Sequence, residues 1–150
     1  MKFQLTTDYA IRIIGYLNRH PNALVTAQEI ADSVGVTYQI FMKVSNQLKK
    51  AGLIQTARGC LGGYSLAKRG NEISLYEIIT VMEGSICINR CLGEDGYCSG
   101  HFIAYCPVHK ALDGLQSLML DALKTSYISD LWKEGDSSFD EIGAKLRASV

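Results

Sequence analysis

Proline is scarce in this sequence, two in 150 residues, and both stand where a helix would stop or start, at Pro21 and Pro107. No run of about eighteen apolar residues occurs, which excludes a helical membrane span. The first residues, Met1-Lys2-Phe3-Gln4, lead into an amphipathic pattern and not into the apolar block and small-residue cleavage site of a secretory signal. The expectation is a soluble, cytoplasmic protein. Catalytic signatures are missing too: there is no Cys-x-x-Cys pair, no convincing nucleophile and base, and no glycine loop ending in Gly-Lys-Ser/Thr. An enzyme is therefore not expected.

What is present is unevenly spread. Four of the five cysteines, Cys87, Cys91, Cys98 and Cys106, fall in one stretch with His101 and His109 interleaved. In a reducing compartment, clustered thiols indicate metal or redox roles before disulfides, and an odd number cannot all pair within the chain. The net charge of zero hides a split: residues 1–70 carry +6 and the remaining eighty −6. The basic half suits a polyanion such as DNA, which the acidic half would repel.

At this length one compact head with an extension is expected. From Thr6 to about Arg19, Tyr9, Ile13, Tyr16 and Leu17 recur at helical spacing. Thr26 and Glu29 make a capping-box pattern at the start of a short second helix, which Gly35 breaks. Thr37 can cap a third helix ending at Lys50, with Gly52 just beyond. Two helices joined by a short glycine-containing turn form a helix-turn-helix. Phe41, Val44 and Leu48 would pack inward, leaving Tyr38, Gln39, Met42, Lys43 and Asn46 outward. Gln39 is the best base reader on that face and Lys43 the best phosphate partner.

Leu53–Ala57 and Tyr64–Ala67 alternate like strands around Arg58-Gly59-Cys60-Leu61-Gly62-Gly63, the pattern of a wing whose Arg58 supplies charge and whose Gly62 and Gly63 allow close approach to phosphate. Ser74 and Glu77 form a second capping-box pattern, for a helix that stops at Gly84. A glycine-rich loop of about twenty residues then holds the thiols, a length that in a compact protein calls for a function or an internal tie. Pro107 opens a long helix on which Val108, Ala111, Leu112, Leu115, Leu118, Met119, Ala122 and Leu123 form an apolar stripe, suited to a partner helix from a second copy. A segment with Ile128, Leu131 and Trp132 is expected to fold back on that helix. The polar tail could hold a weak helix through Phe139, Ile142 and Leu146.

The expected fold is mostly α with a small β-hairpin wing. A winged helix-turn-helix spans residues 1–84, a cysteine-rich loop 85–106, a dimerisation helix with its return segment 107–134, and a polar tail 135–150.

Thr7-Asp8-Tyr9-Ala10-Ile11-Arg12, Gly35-Val36-Thr37 through Asn46-Gln47-Leu48, Arg58-Gly59 and Gly62-Gly63-Tyr64 together resemble the bacterial winged-helix regulator family that includes NsrR, IscR and CymR. The resemblance runs from residue 1 to about 134. It implies a homodimeric transcription regulator on a palindromic DNA operator, in the sense of a repressor, with Thr37, Tyr38, Gln39, Lys43, Asn46, Arg58, Gly62 and Gly63 at the DNA. In sensing members it implies an iron-sulfur cluster, 4Fe-4S before 2Fe-2S, held by Cys91, Cys98 and Cys106. The fourth ligand would be Asp8 of the other subunit, with His109 the alternative, and nitric oxide would be the signal. The intervals Cys-x6-Cys-x7-Cys are wider than in familiar sensors. Cys60 is read as a nonligand, and Cys87 as a spare thiol that could replace one of the three. A zinc site of Cys/Cys/Cys/His or direct thiol sensing is the rival on the same fold. An iron-sulfur or thiol redox protein that ignores DNA is the rival outside it.

Overall fold

The computed structural model describes residues 2–59 and 62–132. The expectations for Cys60 and for the tail lie outside them.

Helix α1 (Leu5–Asn18) is followed by α2 (Ala27–Val34) and α3 (Tyr38–Lys50). A hairpin of β1 (Ile54–Ala57) and β2 (Gly63–Leu66) comes next, then α4 (Leu75–Glu83), the long α5 (Pro107–Thr125) and the short α6 (Ile128–Leu131). The winged-helix head is as the sequence pattern predicts. Ile13, Ile14 and Leu17 of α1 meet Ile30 and Ala31 of α2 and Phe41, Val44 and Leu48 of α3, all at 0–1 % exposure. Each such large side chain is worth about 1.5–3 kcal/mol in burial, so this face holds the three helices together.

The caps follow the sequence, with one difference at two sites. Thr26 accepts from the Glu29 amide at 3.3 Å and Ser74 from the Glu77 amide at 3.2 Å. The acids do not return the bond. Glu29 accepts from the Tyr16 hydroxyl at 3.2 Å and Glu77 pairs with Lys68 at 2.6 Å, because each finds a tertiary partner.

The strands pair antiparallel with Ile54 opposite Leu66 and Thr56 opposite Tyr64. Val25 adds a third rung, donating to the Tyr64 carbonyl at 3.0 Å and accepting from its amide at 2.8 Å. Gly63 is required there: a Cβ on it would lie 2.8 Å from the Val25 carbonyl oxygen.

Two expectations change beyond the head. The segment after α5 returns to the head and not to α5: Ile128 is fully buried in the core, its amide donates to the Ile73 carbonyl at 3.0 Å, and the Trp132 ring lies over Gly15. A Cβ on Gly15 would meet that ring at 2.9 Å, so the glycine makes the seat. The apolar stripe of α5 also divides. Leu112, Met119 and Leu123 are half-buried on the side turned to the protein, whereas Val108, Ala111, Leu115, Leu118 and Ala122 stand exposed. The exposed set repeats at three and four residues.

Candidate DNA interface and cysteine loop

Gly35 takes φ 74° and ψ 40°, the left-handed conformation that ends α2 and turns the chain into α3. Thr37 then accepts from the Ile40 amide at 3.3 Å. With Phe41, Val44, Ser45 and Leu48 buried, Thr37, Tyr38, Gln39, Lys43 and Asn46 are all exposed along α3. Gln47, Lys49 and Lys50 extend the same polar, cationic surface, and the spacing that selected the first five passed over them. Met42 differs from expectation. It is half-buried, with its sulfur 3.6 Å from the Tyr64 hydroxyl, which donates to it.

Tyr64 is a residue that sequence reasoning missed as an organiser. Its backbone joins Val25, its ring meets Phe41 edge-on at 5.0 Å between centroids, and its hydroxyl reaches Met42. The wing is thereby held against the third helix. Arg58 is exposed at the end of β1, while Gly62 donates to the Gly59 carbonyl at 3.0 Å and closes the turn. Gly62 and Gly63 thus have structural duties in the turn and at Val25.

The thiol loop leaves α4 at Gly84, φ 80°. Just before it, Glu83 accepts from the Gln4 amide at 2.7 Å and from the Thr7 hydroxyl, so a carboxylate from α4 caps the start of α1. Asp8, the next residue, is about half exposed and pairs with Arg12 at 2.7 Å.

Within the loop, short 3-10 turns cover Arg90–Leu92 and Ile103–Tyr105. The Arg90 guanidinium bonds Asp95 at 2.9–3.0 Å and lies 4.1 Å over the Tyr97 ring, closing the first half of the loop. That hydrogen bond from Arg90 is the main cause holding the Asp95 carboxyl below its usual range, helped by the Tyr97 amide. The loop is anchored to α5 where the Ile88 amide donates to Gln116 at 2.9 Å.

Cys87, Cys91, Cys98 and Cys106 are half-buried and free. His109 joins two of them: its Nδ1 lies 3.4 Å from the Cys91 sulfur, and its backbone N–H donates to the Cys106 sulfur at 3.4 Å. Cys98 is served separately. The backbone amides of Phe102 and Gly100, with a lesser contribution from that of His101, draw the Cys98 thiol below its usual range against the opposing effect of desolvation. His101 takes φ 57°, a left-handed value uncommon outside glycine, in the same turn. Among the described residues, no three of His, Cys, Asp and Glu lie together closely enough to hold a metal ion. The donors are nonetheless of the right kind for an iron-sulfur cluster: free, partly shielded thiols with an imidazole at hand.

The model of the Rrf2 family, described as an iron-dependent transcriptional regulator, matches residues 3–134. The chain belongs to the Rrf2 family. This Rrf2 protein is 32 % identical over 133 residues to the HTH-type transcriptional regulator NsrR of Bacillus licheniformis, covering 87 % of this chain and 92 % of that one. Among solved structures it is similar to CymR, the global cysteine regulator of B. subtilis, with a TM-score of 0.71 and 21 % identity, covering 87 % and 95 % of the two chains. It is also similar to T. potens IscR, with a TM-score of 0.69 and 22 % identity, covering 87 % and 85 %. These two likenesses establish the winged fold alone. As a family member, the Rrf2 protein is a DNA-binding transcription regulator and not an enzyme. No helix among the described residues is long and apolar enough to cross a membrane.

Proposed function

We propose that this Rrf2 regulator works as a homodimeric repressor on a palindromic operator, under the control of an iron-sulfur cluster in the cysteine loop. The observation that carries the cluster reading is the local one at His109, which engages the sulfurs of both Cys91 and Cys106 from the first turn of α5. Loop thiols and long helix therefore meet at one place, where a change of ligation reaches the helix directly. The exposed three-and-four stripe of α5, including Leu115 at 56 % and Leu118 at 69 % exposure, supports pairing with a second copy.

Cys91, Cys98 and Cys106 would hold the cluster, with Asp8 of the other subunit at the fourth corner. Asp8 is exposed enough to reach a neighbour, and its place in the first helix, where the resemblance to NsrR-like members puts an aspartate ligand, is the ground for taking 4Fe-4S and nitric oxide before other cluster types and signals. When bound, such a cluster supplies an exchangeable corner that a small molecule can attack. The chain's own residues do the rest. Glu83 fixes the root of the loop to the first turn of α1, and Tyr64 fixes the wing to α3, so displacement of the loop biases the placement of two reading heads.

A second reading has His109 as the fourth ligand, favoured by its position 3.4 Å from Cys91. Zinc in place of the cluster is the other outcome of the same test. Protein purified without oxygen is expected to be brown with visible absorption, and to bind a palindromic site more tightly than random duplex at moderate salt. Asp8→Ala should lose the native spectrum and the operator preference together, with His109→Ala retaining both. The reverse pattern installs His109. A colourless protein with stoichiometric zinc, or equal binding to random duplex, overturns the cluster-controlled repressor.

A further inference from the structure

Cys87 stands outside the proposed ligand set, yet the fold lodges it beside the turn that carries Cys91. A Cβ added to Gly93 would lie 3.6 Å from the Cys87 sulfur, so this thiol is lodged beside the turn formed by Arg90–Leu92 and Gly93. The same turn carries Cys91, four residues from Cys87. The turn is held shut by the Gly93 amide on the Arg90 carbonyl at 3.0 Å and by the Arg90–Asp95–Tyr97 clamp. The remaining loop thiols are engaged elsewhere. Cys106 caps α5 through the His109 amide, and Cys98 sits in a separate turn closed by the His101 amide on its carbonyl at 3.1 Å.

We propose that Cys87 is the resolving thiol of Cys91, and that the two form a reversible intraloop disulfide when the cluster-free protein meets a peroxide. In the first step the Cys91 sulfur attacks the peroxide O–O bond, giving Cys91 sulfenic acid and releasing water or an alcohol. The Cys87 thiol then attacks the sulfenic sulfur, the S–O bond breaks, and water leaves with the Cys87 proton as the S–S bond forms. Two sulfurs are oxidised by one electron each and the peroxide is reduced by two. A dithiol reverses the linkage. The chemistry needs the two sulfurs to close across the turn; its consequence, that Cys91 is withheld from ligation, rests on the cluster reading above.

Trypsin cleavage suits the test, because Arg90 lies between the two cysteines. Full-length cluster-free protein is treated with one equivalent of hydrogen peroxide, quenched in acid, alkylated and digested without reductant. The expected product joins peptide 70–90 to peptide 91–110 with the loss of two hydrogens, and fragmentation places the link at Cys91. Cys60 falls in a separate peptide, 59–68, and stays alkylated. Cys98→Ser and Cys106→Ser should retain the link, and Cys87→Ser and Cys87→Ala should abolish it. A link from Cys87 to Cys98 or Cys106, a link confined to 91–110, cross-linked dimers, or no loss of thiols each overturns the proposal. Anaerobic loading with iron and sulfide separates it from the cluster reading: oxidised protein should take up iron only after a dithiol. If the disulfide forms but reduced protein takes up no iron either, the cluster reading fails and the disulfide stands.

Discussion

The hydroxyl of Thr7, fully buried in the first turn of α1, donates to the carboxylate of Glu83, the last residue of α4. The same oxygen accepts from the Gln4 amide, so one carboxylate closes the start of one helix and fixes the end of another. Thr7→Val keeps the side chain's shape and removes the donor. It should destabilise the protein by about 1.5–3 kcal/mol, the range for a lost hydrogen bond to a charged group, and lower the melting temperature accordingly. A melting temperature unchanged from the wild type would show that the bond contributes nothing.

The Arg90–Asp95 clamp predicts a pH response in the loop. Asp95 is held below the usual carboxylate range, first by the Arg90 hydrogen bond, so the folded loop favours its charged form. The contribution is complete above the unfolded pKa and is lost as pH falls through the lower folded value. Amide signals of residues 90–97 should therefore shift with acid at a pH below the usual Asp titration. In Asp95→Asn this step should vanish and the loop amides exchange faster at neutral pH. Exposure of the pair keeps any effect on global stability small.

Much of the head was legible because its signals are local. Thr26, Thr37 and Ser74 cap within three residues of themselves, Gly35 and Gly84 take the conformations that end helices, and the hairpin alternates. What was hidden depends on partners distant in sequence. Glu29 abandons its box for Tyr16 thirteen residues earlier, and Met42 turns to Tyr64. Periodicity gave α5 a broad apolar stripe but could not say which part its own head would cover, and the return of Ile128 to the core decides that only in three dimensions. The thiol loop has no period at all. Among the described residues, the close approach of a loop thiol to an imidazole, Cys91 with His109, spans eighteen residues and leaves no mark in local spacing.

For DNA, the exposed face of α3 predicts two separable losses. Gln39→Ala should cost about 1–3 kcal/mol at one operator position and relax the preference there, as loss of a base-edge contact does. Lys43→Ala should weaken all duplexes alike and reduce the magnitude of the log–log salt slope by about one. Titrations against single-base operator variants over a range of salt distinguish the two. Equal weakening on every variant by Gln39→Ala would remove it from base reading.

The exposed stripe of α5 gives the sharpest check on assembly. Val108, Ala111, Leu115, Leu118 and Ala122 face away from the chain's own head, so substituting one of them removes little packing within a protomer. Leu118 is 69 % exposed, and Leu118→Glu should leave the packing within a protomer nearly unchanged. Across a two-fold seam the same change places two carboxylates, one from each copy, in an apolar contact, at a cost of several kcal/mol in unpaired charge and lost burial. Sedimentation should then report a monomer where the wild type is a dimer. Gln116, which faces the loop and accepts from the Ile88 amide, is the internal control: Gln116→Ala should loosen the loop and leave the dimer intact. If Leu118→Glu remains dimeric, the seam lies elsewhere on the surface, and a carboxylate from the neighbouring α1 loses its geometric route to the thiols.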